Sequence, residues 1–145
     1  CSRYRVRLSR RAEALIFIDS NIPMYLIGSE HPNKTTTISL LERFVRDEER
    51  LVSDAEVLQE ILHRYSAIRR VDAIQPAFDA LLGLVDEVFE ISAADMLRAK
   101  DLFVTYSSIS ARDAVHAAVM SNHDISCIFS FDAHFDEFTF LSRIA

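Results

Sequence analysis

Glycine and proline are scarce in this chain, two and three in 145 residues. That excludes long flexible or proline-rich linkers and favours a helix-rich fold. Cysteine is almost absent. Cys1 and Cys127 form no metal-type spacing, which excludes a cysteine-based zinc site and a disulfide-dense scaffold. Cys127 lies in an apolar run and is expected to be a buried free thiol, in a reducing, cytoplasmic setting. No apolar run approaches the ~20 residues of a membrane-spanning helix, so no membrane partner is expected.

Half of the residues are hydrophobic and ten are Phe, enough for one domain with a substantial core. Basic charge gathers at the start, where Arg3, Arg5, Arg7, Arg10 and Arg11 crowd residues 1–13. This leader lacks the apolar stretch of a signal peptide. It is expected to lie outside the fold, either disordered or artificial, leaving residues 14–145 as a single domain. Without its five Arg and Glu13, 11 basic residues face 21 acidic ones, a formal charge of −10. A domain this acidic does not bind nucleic acid by charge alone unless a divalent cation intervenes.

Short apolar runs at 14–18, 51–53, 88–91 and 125–131 read as strands. None alternates, as expected of parallel strands buried on both faces. Helical periodicity fills the intervals. Residues 35–47 carry Ile38, Leu41 and Val45 at helical spacing, and 54–68 carry Val57, Leu58, Ile61, Leu62, Tyr65 and Ile68. Pro76 opens a third helix with Phe78, Leu81, Leu82 and Val85 inward. Ser92/Asp95 and Ser110/Asp113 have the form of capping boxes and start two more. The order predicts an α/β fold around a parallel sheet, with crossovers long enough for parallel strands.

Acids recur where strands end. "LIFIDSNIP" runs an apolar strand into Asp19, and "CIFSFD" does the same into Asp132. Asp54 and Glu56 follow the second strand, Glu60 comes one helical turn later, and Asp113 lies in the first turn of the fifth helix. Each has an ordinary explanation. Asp19 and Asp132 suit turns, Glu60 suits an i,i+4 pair with Arg64, and Asp113 suits a cap. Asp54 and Glu56 suit helix starts, and Asp136 suits the surface.

In open α/β sheets, however, sites form at the carboxyl ends of strands, and the set as a whole resembles one family. "FIDSN" with Asp19, "EVLQEILHR" with Glu60, "SARDAVHAA" with Asp113 and "IFSFDAHF" with Asp132 stand in the order and spacing of PIN-domain nucleases. The likeness is strongest to the VapC-type toxins of bacterial toxin–antitoxin pairs, and it covers roughly residues 14–140. It implies a three-layer α/β/α fold whose first and last recognised strands are neighbours. Asp19, Glu60, Asp113 and Asp132 would then converge as catalytic metal ligands, with Asn21, Ser130 and His116 supporting them.

An all-oxygen set suits Mg²⁺ or Mn²⁺, and the implied chemistry is metal-assisted hydrolysis of an RNA phosphodiester. His116, three residues after Asp113, reads better as a packed helix histidine than as a proton donor. Arg112 is a possible phosphate contact, and His31, His63, His123 and His134 have no ligand spacing. The resemblance also implies a cognate antitoxin, a transfer- or ribosomal-RNA substrate and a homodimer. An inactive PIN-like RNA-binding or protein-interaction module is the alternative. A receiver-like phosphoacceptor is disfavoured, since "DSN" lacks the acid pair and "SFDAHF" the Lys that it would need.

Overall fold

The computed structural model describes residues 14–145; the basic leader lies outside them. The chain runs β1 (Leu15–Ile18), α1 (Asn21–Ile27), α2 (Pro32–Arg46), β2 (Arg50–Asp54), α3 (Ala55–Ala67), α4 (Ile74–Leu84) and β3 (Glu87–Phe89). It continues through α5 (Ala93–Thr105), α6 (Ala111–Asn122), β4 (Cys127–Phe129) and β5 (Ser142–Ile144). Single 3₁₀ turns occupy Val71–Ala73 and Ala133–Glu137.

All five strands pair in parallel, in the order β3-β2-β1-β4-β5. β1 is central, with Phe17 opposite Val52 on one side and Ile128 on the other. Ile16, Phe17, Ile18, Val52, Ile128 and Phe129 are essentially inaccessible, which is why these strands show no alternation. Helices flank the sheet: α1 packs on α2 and α4, and α5 packs on α6. The result is the expected three-layer α/β/α architecture.

Several local expectations are corrected. β5 adds a strand beyond the four apolar runs. Its triplet Ser-Arg-Ile has no apolar run, and it pairs only at the sheet edge, with β4. β3 is the opposite edge and is partly exposed, not buried on both faces. α1 follows directly on Asp19, where the sequence marks only a turn. Pro76 is the third residue of α4 and not its start.

On α2 the buried face is Thr37, Leu41 and Phe44, while Val45 is 70% exposed and Ile38 is exposed as well. Thr37 can be buried because its hydroxyl donates to the Asn33 carbonyl at 2.7 Å. The inward stripe therefore runs through Thr37, Leu41 and Phe44 in place of Ile38, Leu41 and Val45. Leu62, Ile68 and Leu82 likewise face outward. Cys127 is buried in β4, as expected.

Candidate active site

β1 stops at Ile18 and delivers Asp19 to the carboxyl edge of the sheet, 4% exposed. β4 stops beside it and delivers Ser130. The Ser130 hydroxyl donates to Asp19 Oδ2 at 2.6 Å, and Asn21 Nδ2 donates to the same oxygen at 3.3 Å. The Ser20 backbone N–H donates to Asp19 Oδ1 at 2.8 Å. Ser130 Oγ in turn accepts from the Asp132 N–H at 3.0 Å, and Asn21 Oδ1 accepts from the Phe131 N–H at 3.4 Å. "FIDSN" and "FSFD" are therefore knitted together, as the adjacency of β1 and β4 requires.

The second strand contributes a residue read only as a helix-start acid. Asp54 does cap α3, accepting from the Val57 N–H at 2.9 Å. It is also completely buried, and its Oδ2 lies 2.8 Å from His116 Nδ1. The other nitrogen of that ring, Nε2, lies 3.3 Å from Glu60 Oε2. His116 is packed on α6, between Phe17 and Phe135, and at the same time links Asp54 to Glu60. Glu60 thus turns inward. The cap was visible in the sequence; the 62-residue link to His116 left no local signal.

Asp113 keeps its capping role: it accepts from the Ser110 N–H at 3.3 Å while Ser110 Oγ accepts from the Asp113 N–H at 3.1 Å. It also faces Asp132. His134, which had no defensible spacing, sits with its Nδ1 2.8 Å from Asp132 Oδ1. His31 instead caps α2, His123 stacks on Phe89, and Asp136 pairs with Arg143 on the surface.

The four acids gather as two adjoining clusters rather than around one point. In the first, donor atoms of Asp19, Glu60 and His116 all lie within 4.8 Å of one another; in the second, so do those of Asp113, Asp132 and His134. Glu60 joins Asp113, Asp132 and His134 in lining one open cavity of about 620 Å³. Arg112 stands in its wall, 3.8 Å from Glu56.

The charges are held under tension. Burial pushes the Asp19 carboxyl up to about 6, and the charge of Glu60 adds to this. Burial also raises Asp113, helped by Asp132. Burial would raise Glu60 too, but the His116 contact outweighs it and brings the group below its ordinary value. His116 is driven well above the ordinary histidine value, because Asp54 and Glu60 overcome its burial. Crowded carboxylates of this kind are relieved by a cation. The donor set fits a hard one. Both His116 nitrogens are already engaged by carboxylates, so the donors are carboxylate oxygens of Asp19, Glu60, Asp113 and Asp132, with one nitrogen from His134 beside the second cluster.

The PIN-domain family model matches residues 16–141, which include all four acids. The chain belongs to the PIN-domain family. This PIN domain is 54% identical over 131 residues to Ribonuclease VapC13 of Mycobacterium tuberculosis, a match covering 90% of this chain and all of that protein. Among solved structures it resembles M. tuberculosis VapC20, described as a sarcin–ricin-loop-cleaving toxin. The TM-score is 0.69 at 22% identity, covering 83% of this chain and 92% of that one. It also resembles VapBC2 of Rickettsia felis, solved on a promoter DNA fragment. There the TM-score is 0.70 at 17% identity, covering 90% and 97% of the two chains.

Proposed function

We propose that this PIN domain is a VapC-type ribonuclease toxin, a metal-dependent endoribonuclease that acts in the cytoplasm and is restrained by a cognate antitoxin. The observation that carries the reading is the pair of carboxylate clusters at the end of β1 and β4, in a chain 54% identical to a named VapC ribonuclease. Asp19, Asp113 and Asp132 are assigned as ligands of Mg²⁺ or Mn²⁺, with Glu60 completing the set. Once bound, the ion supplies Lewis acidity toward a phosphoryl oxygen and a lowered pKa for water.

The protein's own groups do the positioning. Ser130 and Asn21 hold Asp19 in one rotamer through Oδ2. His116 holds Glu60 by Oε2 while Glu60 still lines the cavity, where it can orient a water toward the scissile bond. Arg112, in the cavity wall, is placed to meet a phosphate. An acidic pocket repels an RNA backbone, so the cation must precede or accompany the substrate.

The antitoxin reading is supported by an apolar groove of about 430 Å³ between α1, α2 and α4, lined by Leu26, Ile38, Leu41, Val45 and Leu84. The resting complex joins the antitoxin to two copies of the toxin. The deciding experiment incubates total, transfer and ribosomal RNA with the protein and Mg²⁺ and sequences the fragment ends. Discrete ends that vanish with a chelator and in Asp113→Ala are expected. RNA that is bound but uncut would instead leave an inactive RNA-binding module.

A further inference from the structure

We propose that Tyr25 and Phe131 form an aromatic platform on which a nucleobase of the RNA substrate stacks, beside the scissile phosphate. This rests on the ribonuclease reading above and adds a binding subsite to it.

Phe131 stands between Ser130, which holds Asp19, and Asp132. Its backbone N–H donates to Asn21 Oδ1 at 3.4 Å. Asn21 Nδ2 in turn donates to Asp19 Oδ2 and to Ser130 Oγ, each at 3.3 Å. Tyr25 follows Asn21 by four residues on α1, so the two side chains share one helix face. The Tyr25 and Phe131 rings meet edge to face, with 5.2 Å between centroids and 73° between planes. His31 adds a third ring, 5.1 Å from that of Tyr25. The hydrogen bonds that orient Asp19 thus also tie the aromatic pair to the acids.

Core packing does not account for Tyr25. Met24, Leu26 and Ile27, its neighbours on α1, pack against the hydrophobic core, and so does Phe131 after β4. Tyr25 packs instead on the other two rings. Both Tyr25 and Phe131 stay partly exposed. Edge-to-face contact does not use up the ring faces, so such a pair can take a further ring on an open one.

The platform adjoins the acidic cavity and does not line it. An RNA strand with one phosphate at the acids continues past them, and the rings stand where an adjacent base can lie. Charge alone is a poor grip here. Among the described residues Arg112 is the one arginine or lysine lining the cavity, against Glu60, Asp113 and Asp132. Phosphate contacts are therefore few, and affinity must come from groups indifferent to charge. Stacking of an unpaired base on aromatic side chains is such an interaction, and it tolerates any base.

The test is steady-state cleavage, with Mg²⁺, of a single-stranded RNA oligonucleotide spanning a cut found by fragment-end sequencing. Thermal melts by circular dichroism are the folding control. Tyr25→Ala should raise KM about tenfold and leave kcat nearly unchanged, because the base stacks alike before and during the reaction. Tyr25→Phe, which keeps the ring, should restore the wild-type KM. Phe131→Leu, which keeps apolar bulk but loses the ring, should also raise KM. Two further oligonucleotides each lack one base flanking the cut. With one of them the wild type should show the same rise in KM, and Tyr25→Ala should then add little more. If Tyr25→Ala fails to fold, Tyr25→Leu asks the same question. A wild type that cuts no RNA overturns the ribonuclease reading and the platform together. A wild type that cuts, with KM unmoved by loss of the Tyr25 ring, overturns the platform alone. So does full additivity of that loss with both missing bases.

Discussion

Ser130 and Asp19 are 111 residues apart in sequence, and the hydroxyl of the first donates to the carboxylate of the second at 2.6 Å. The same hydroxyl accepts from the Asp132 backbone, so one side chain sets the spacing between two strand ends. Ser130→Ala should leave the fold intact and weaken Mn²⁺ binding by roughly tenfold to a hundredfold, the range seen when a metal ligand loses its supporting hydrogen bond. Calorimetric titration measures this. Affinity unchanged in the variant would remove Ser130 from the site.

Asp19 should show a conflict between stability and function. Its carboxyl sits at about 6 in the fold against an ordinary 3.8, so the folded protein binds the proton more tightly than the unfolded chain does. In the metal-free protein the ionised group therefore costs stability above about pH 6, and the cost fades as pH falls from about 6 toward 3.8. Asp19→Asn should raise the melting temperature of metal-free protein at about pH 7.5, well above that range. The advantage should narrow steadily as the pH falls through that window. The same variant should lose RNA cleavage. A variant less stable than wild type at the higher pH would contradict the burial argument.

Asp54 and His116 should behave as one unit. Their contact is 2.8 Å and both side chains are fully buried. Removing one partner strands the other, at a cost of roughly 3–5 kcal/mol. Asp54→Asn preserves an acceptor for the Val57 N–H, so its loss in urea unfolding reports mainly the His116 contact. The double variant with His116→Leu should lose clearly less than the sum of the two single changes. Strict additivity would show that the contact carries no coupling. His116 is raised well above its ordinary 6.5, so its own contribution is fully present below that pH and is lost as pH rises through its folded value.

Metal should stabilise the fold through the acids and nothing else. Mn²⁺ at about a hundredfold above its dissociation constant should add about 2.7 kcal/mol, read as a rise in melting temperature that EDTA reverses. The rise should shrink in Asp132→Asn as well as in Asp19→Asn, since both clusters border the one site. A full response in either variant would confine the ion to the other cluster.

How much of this was legible beforehand depended on distance along the chain. The capping boxes Ser92/Asp95 and Ser110/Asp113 and the Asp54 cap involve residues three apart, so pattern alone located them. The apolar runs determined the central strands, and each placed an acid at its end, because a buried parallel strand must stop where its chain returns to polar surroundings. The family resemblance then selected Asp19, Glu60, Asp113 and Asp132 from among the other acids.

Only the tertiary structure decided what those acids touch. β1 lies between β2 and β4, and that order alone sets Asp19 against Ser130, while the packing of α6 across the sheet sets His116 between Asp54 and Glu60. It also split the expected single cluster in two and brought in His134. The same packing turned Val45 and Leu62 outward. Periodicity marks an apolar stripe but does not say which part of its width a neighbour covers. Local rules act within a helical turn, whereas a site whose acids are scattered from Asp19 to Asp132 exists only once the sheet has closed.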